Sequence, residues 1–303
     1  MFTGYAKAGG ANTGGGGGGG ANHTQDLVLG RDGGSGIVCF RAAKSTNVVV
    51  SPTPTSGVTY TEGLKGIIPL DVTLFAEAIS NNSSITNETS TVYIDFGDVH
   101  RKVSVGNQVT IALDDTDYAF DVIGFNHDEL TTPTAYGAAT ATGKAGFTFQ
   151  MHDLFATNYW MNPTNTNQGG WKNSLMRTSK MATMKGYMPA AWQTAIKPVN
   201  KASGTGGGSS SGTETVSDNC FLLAEIEIFG SRTYSVPGEG TQYAYYKAGN
   251  SKVKRKGGTA IFWWERSPYS GGSTSFGIVN HNNESPSGWV ASETNGVAFA
   301  FCV

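Results

Sequence analysis

Seven consecutive glycines, Gly14 to Gly20, constrain this chain more than any other feature. A backbone without side chains has nothing apolar to bury, so no hydrophobic core can be built there. Fourteen of the 42 glycines fall in the first 36 residues, and the core must therefore come from the rest of the chain. By composition the head is a flexible linker or a bundle of extended polyglycine-type helices whose backbones pack closely. Ile37, Val38, Cys39 and Phe40, bounded by Gly33 and Gly34, add the expectation of one short strand.

The remaining length is enough for one large domain or two ordinary ones. Residues 44–90 read as a Ser/Thr/Pro-rich connector, extended where Pro52 and Pro54 withhold backbone donors. After Pro69, Leu70, Leu74 and Ala78 recur at helical spacing, with Val72, Phe75 and Ile79 widening the stripe, which predicts one amphipathic helix. Asn82 and Asn87 stand in glycosylation sequons that matter only in a secretory pathway, and the segment after Met1 has no signal-like character.

From residue 91 to residue 303 the texture is that of one folded domain. TVYIDFG, HRKVSVGNQVTIAL and YAFDVIGFN alternate apolar and polar residues between Gly97-Asp98, Gly106-Asn107 and Asp114-Asp115, which predicts antiparallel strands joined by turns. Leu175, Met176, Met184 and Met188, then Trp192, Ala195 and Ile196 after Pro189, predict two short helices. The tract 201–217 reads as a mobile loop, and NCFLLAEIEIFG as a buried strand with Glu225 and Glu227 on its less buried face. AIFWWERS, SFGIVN, GWVAS and GVAFAFCV close the chain as further strands. Strands, helices, then strands again make an α+β fold rather than a βαβ repeat.

Several chemistries lack their residues. A net charge of −2 gives no surplus of cations for nucleic acid, and the basic cluster Lys252 to Lys256 reads as a solvated hairpin or loop. No apolar run is long enough for a membrane span. Cys39, Cys220 and Cys302 are too scattered for a disulfide framework or a zinc knuckle and are expected as buried free thiols. No histidine has metal-site spacing; His127 and His152, each beside an aspartate, are expected to be hydrogen-bonded structural residues. There is no nucleophile elbow and no phosphate loop. HNNE, residues 281–284, could offer oxygens to calcium but reads as a polar turn. The expectation is no catalytic residue, no metal and no cofactor.

The run VIGFNHDEL, KAGFTFQMHDLF, MNPTNTNQGGWKNSLMR, DNCFLLAEIEIFG, GEGTQYAYY, WWERSP and GVAFAFCV resembles, in order and spacing, the domain-of-unknown-function family 6273, over about residues 92 to 303. That family in turn is similar to the C-type-lectin-like group that includes formylglycine-generating enzymes and phage receptor binders. The head, poly-Gly closed by GGSGIV, resembles the Gly-rich modules of bacteriophage tail fibres. The resemblances imply a C-type-lectin-like domain behind a fibre or oligomerisation segment at 1–43. They imply a virion structural protein, a homotrimeric tail fibre or receptor-binding adhesin, lying on the particle exterior among other virion proteins and contacting a host glycan or protein. A head fibre or capsid decoration protein is the alternative within that class. A surface-glycan enzyme using Glu225 with Glu227, or Glu265 with Glu293, is the alternative outside it. Retroelement diversification of the Asn/Ser/Tyr-rich tract at 267–289 is a further possibility.

WWERSP fixes the expected binding face. Neighbours on a strand point to opposite sides. Trp263 is therefore expected to pack under the helix pair, while Trp264 and Arg266 reach the loop surface with Tyr269 and Trp289, and Asn280, Asn282 and Asn283 supply hydrogen bonds. An ion pair of Arg266 with Glu225 or Glu227 is the competing expectation.

Overall fold

The computed structural model describes residues 48–303, which form one compact unit. The expectations for the Gly-rich head, the strand at 37–40 and Cys39 lie outside the described residues.

The alternation from residue 91 onward produces the predicted strands. A four-stranded sheet, ordered β1-β3-β4-β2, is built from β1 (Val49–Ser51), β2 (Thr61–Glu62), β3 (Thr91–Phe96) and β4 (Val99–Ser104). In β3 every second residue is buried, with Val92 and Ile94 inside, as the period of two requires. The segment read as a connector thus contributes two strands and a helix, α1 (Pro69–Ser80), to the same unit. Val72, Phe75, Ala76 and Ile79 form its buried face; Leu70, expected in the apolar stripe, is exposed because it sits one position off that face.

The central sheet is ordered β10-β16-β7-β6-β5, from β5 (Gln108–Leu113), β6 (Thr116–Phe125), β7 (Phe147–Met151), β10 (Cys220–Phe221) and β16 (Ala300–Cys302). The C-terminal strand returns to lie between β7 and β10, antiparallel to both. Asp114 and Asp115, at φ 48° and 62°, make the two-residue turn between β5 and β6. All five residues of β7 are buried, because aromatic packing covers the sheet. Phe301 lies 5.4 Å from both Phe120 and Phe149 and 6.1 Å from Trp192. Trp192 belongs to α4 (Ala190–Ala195), which follows α2 (Gly170–Asn173), a π turn at Met176–Lys180 and α3 (Met181–Tyr187). Of the residues that the helical spacing marked, Met176, Met184 and Met188 are buried and Leu175 is half-buried; Met181 joins them in the core.

Three local expectations are corrected. The Gly-rich tract after Lys201 is a paired hairpin, β8 (Val199–Gly204) with β9 (Thr213–Asp218), not a loose loop. Two of its glycines are required by close approach: a Cβ on Gly206, which has φ +68°, would stand 1.8 Å from the Asn167 carbonyl oxygen, and one on Gly207 2.3 Å from the Gln168 side chain. Asn167 itself is fully buried, receives the Gly207 N–H at 2.7 Å and donates to the Gly272 and Ser275 carbonyls. Glu225 and Glu227 lie on a helix, α5 (Glu225–Phe229), rather than on a strand. The Glu227 carboxylate accepts the Ala224 N–H at 2.9 Å, satisfying an otherwise orphaned donor at the helix start, and Gly230 at φ 71° ends the helix left-handed. Within the basic cluster, Arg255–Lys256 (β11) pairs with Thr259–Ala260 (β12) as a hairpin, but Lys254 is buried rather than solvated. Its ammonium donates to the Met151 and His152 carbonyls, and burial lowers its pKa to about 8. The last sheet, β13-β14-β15, comprises Trp263–Pro268, Ser275–Asn280 and Ser285–Val290.

Candidate functional site

The β14–β15 hairpin carries the outer face. In its register Phe276 stands opposite Trp289, Ile278 opposite Ser287 and Asn280 opposite Ser285, so each pair shares one side of the sheet. Phe276 and Ile278 fill the core, whereas Trp289, on edge strand β15, is 40 % exposed. Its indole lies 5.5 Å from the ring of Phe262, which is itself 4.6 Å from His281. Asn282 and Asn283 project from the connecting turn and are exposed. That turn is fixed by Asn280 Oδ1, which accepts the Asn282 N–H at 2.9 Å, and by the Glu284 carboxylate, which accepts from Ser251 Oγ and the Lys252 N–H.

Asn280, Asn282 and Asn283 are thus grouped at the turn end of the hairpin, while Trp289, opposite Phe276, stands four positions along β15 from Ser285, the partner of Asn280. Tyr269 does not join Trp289: a Cβ on Gly288 would meet its ring at 3.7 Å, so Tyr269 lies on the side of β15 opposite to that of Trp289, packed against Tyr234.

Trp264 and Arg266 are also absent from the surface, which corrects their expected placement. All six residues of β13 are buried, because both faces of this strand are covered, and adjacent tryptophans on opposite faces are then both internal. Trp263 donates its indole N–H to Lys252 O and Trp264 to Tyr159 O. The partners of Trp263 are thus in the 252–254 segment, where Lys254 lies over its ring, rather than in the helix pair.

Arg266 occupies the centre of a buried ionic network. Nε donates to Ala202 O, Nη1 to Leu222 O and Glu227 Oε2, and Nη2 to Glu227 Oε1 and Glu239 O. All five guanidinium N–H groups are committed, leaving none for a ligand. Of the two carboxylates anticipated as its partner, Glu227 is the one. Glu225 instead accepts the backbone N–H groups of Thr233, Tyr234 and Ser235.

On the other side of Glu227, Lys201 Nζ is 2.7 Å from Oε1 and 2.6 Å from Asp128 Oδ1. Burial works against ionisation of Asp128, but Lys201 and His127 outweigh it and hold this carboxyl well below its ordinary range. Glu227 is likewise lowered, by Arg266 and Lys201 against its burial. His127 stacks on Tyr243 at 3.8 Å and bonds Thr241 O through Nε2 at 3.0 Å; His152 contacts Asp121 at 2.9 Å. Both histidines are thus hydrogen-bonded to the fold, the His127 side chain buried and that of His152 about half exposed. A polar cleft of about 360 Å³ opens beside this network, with Lys144, Asn200, Glu239 and Thr241 along its walls.

Glu265, next to Arg266, is in the opposite state. Burial pushes its carboxyl well above the ordinary range, and the nearby Glu225 and Glu239 add to the rise. A carboxyl that stays protonated when folded but ionises when unfolded binds more protons in the folded state, so its contribution to stability falls as pH rises above about 4.5. Glu265→Gln is therefore expected to be more stable than the parent at pH 7, with the gap narrowing toward pH 4.5. Urea denaturation of both proteins across that range measures the gap.

Sequence reasoning missed Lys201, Asp128, Tyr243 and Asn167. The first three are far apart in the chain, and nothing but the fold joins them. Among the described residues no helix is long and apolar enough to cross a membrane. No curated protein and no solved structure matches the chain. The model of a domain of unknown function, DUF6273, matches residues 145–303, just over half of the sequence and from β7 to the C-terminal strand of the central sheet. The chain belongs to the DUF6273 family.

Proposed function

We propose that this protein is a non-enzymatic binding component of a bacteriophage virion, a tail-fibre or receptor-binding protein with a C-type-lectin-like domain that meets the host surface through Trp289, Asn282 and Asn283. The observation that carries the binding reading is the exposed Trp289, packed on Phe262 at the edge of a three-stranded sheet whose hairpin turn presents the exposed Asn282 and Asn283. An aromatic side chain with few rotamers loses little entropy on contact, and flanking amides confer specificity. The virion setting and homotrimeric assembly rest on the resemblance of the Gly-rich head to fibre modules. Glu225 and Glu227, which a glycan-cleaving alternative would use, are both about 1 % exposed and committed to internal partners. A head fibre or capsid decoration protein would present the same face from a different place on the particle.

Trp289→Ala tests the reading. Losing the Phe262 contact should cost about 1 kcal/mol of unfolding free energy and leave the protein folded, whereas loss of a central aromatic contact should weaken binding to host cells by about 2 kcal/mol, roughly 30-fold. Unchanged binding would remove the Trp289 face from the proposal, and antibody labelling of purified virions that found no protein on the particle would remove the virion role.

A further inference from the structure

We propose that Lys201 and Asp128 condense to an intramolecular isopeptide bond, with Glu227 as the proton carrier. The inference is independent of the host-binding reading and rests on four observations about one buried cluster.

First, the reactants are in contact. Lys201 Nζ is 2.6 Å from Asp128 Oδ1, although the two residues are 73 positions apart, one in β8 and the other just beyond β6. Such proximity in a fixed frame converts a bimolecular condensation into a unimolecular one.

Second, the reacting side chains are sequestered at the floor of the polar cleft. The Lys201, Asp128 and Glu227 side chains are only 2 %, 3 % and 1 % exposed, and Lys201 Nζ lies over the Phe221 ring at 4.3 Å and near the Tyr243 ring at 5.6 Å. Water is the product of the reaction, and the adjoining cleft gives it a way out. Moving one proton from ammonium to carboxylate leaves the cluster's net charge unchanged and replaces two buried charges with a neutral amine and a neutral acid. Against the effect of burial, Lys201 and His127 hold the Asp128 carboxyl well below its ordinary range, which favours its ionised form. A bond made once per molecule needs the neutral pair only transiently.

Third, the groups that the chemistry needs are placed. Asp128 Oδ2 accepts from Thr148 Oγ1 at 2.6 Å and from Tyr243 OH at 2.9 Å, donors that stabilise negative charge as the amine adds to the carboxyl carbon. Glu227 Oε1, 2.7 Å from Nζ, takes a proton from the attacking amine and returns it to the departing oxygen. The bond formed is Nζ–Cγ and the bond broken is Cγ–Oδ1. Two of the three ammonium hydrogens leave with that oxygen as water, and nothing is oxidised or reduced.

Fourth, the product keeps the surrounding bonds. The amide oxygen retains Thr148 and Tyr243, the amide N–H still points at Glu227, and Glu227 keeps its Arg266 counter-charge. The cross-link would tie β8 to the end of the central sheet and shrink the unfolded ensemble as a disulfide does.

The test is the intact mass of the purified, folded full-length chain after denaturation, followed by peptide mapping. The expected mass is one water below the sequence mass, with a branched peptide joining the Lys201 and Asp128 segments. Lys201→Arg is expected to keep its full sequence mass. Asp128→Asn is expected to lose ammonia instead of water, because the leaving group changes. Wild-type protein at full sequence mass after prolonged incubation across pH 5 to 9 overturns the proposal. A water loss that maps to another site, such as a succinimide at Asp32-Gly33, also overturns it. Glu227→Gln that still loses water at this pair overturns the role given to Glu227.

Discussion

Arg266→Met is expected to cost about 3–5 kcal/mol of folding free energy, the range for removing one partner of a buried ion pair while leaving the other in place. The substitution deprives the Glu227 carboxylate of a two-point partner and strips donors from the buried carbonyls of Leu222 and Glu239 and from the part-buried carbonyl of Ala202. Arg266→Lys should recover little, since an ammonium has three donors on one atom and cannot reproduce five in a planar fork. Pairing the change with Glu227→Gln separates the causes. The double variant should be less damaging than the sum of the singles, because the uncompensated carboxylate is then gone. Additive losses, read from guanidinium denaturation of the four proteins, would show that the two side chains do not act as a unit.

The same network shows what a single sequence can and cannot disclose. Whereas β6, read from YAFDVIGFN, is buried on both faces from Phe120 to Phe125, alternation in TVYIDFG located β3 because that strand has one face against the core and period-two burial is written into the order of residues. The methionine and tryptophan spacings between 176 and 196 located the helices for the same reason. AEIEIFG misled, since its alternation is also that of a strand. The deciding marks were capping signals, Glu227 three residues after Ala224 and Gly230 at the end, which turn a short apolar run into a helix. WWERSP was legible as a strand, but its two-sided burial was not, because that depends on segments more than 30 residues away in sequence, such as Tyr159 and Leu222, covering it. That Trp289, Asn280, Asn282 and Asn283 belong to one hairpin was legible because they are near one another in sequence. The Lys201, Asp128 and Tyr243 cluster was not, because no local pattern marks a contact across 73 or 115 positions.

A fragment limited to residues 145–303, the span matched by the family model, is expected to fail to fold cooperatively, whereas 48–303 should show a single sharp thermal transition by circular dichroism. Cutting at 145 removes β5 and β6, two of the five strands in the central sheet, and exposes as a bare edge the backbone groups of β7 that bond β6. It also removes α1, which packs on α4 and approaches the chain at Gly146 so closely that a Cβ there would stand 2.1 Å from Ala76 O. Phe147, Phe149 and Met151, all fully buried, would lose Phe120, Val122 and Phe125 as neighbours in the core. Asp128 would be lost as well, leaving Lys201 and Glu227 without the third member of their network. Uncovering three large side chains at about 1.5–3 kcal/mol each consumes most of the 5–15 kcal/mol by which a domain is normally stable. A cooperative melt from the 145–303 fragment would show instead that β7 and β16 carry a self-sufficient core, and that the 48–144 segment is an attachment to it.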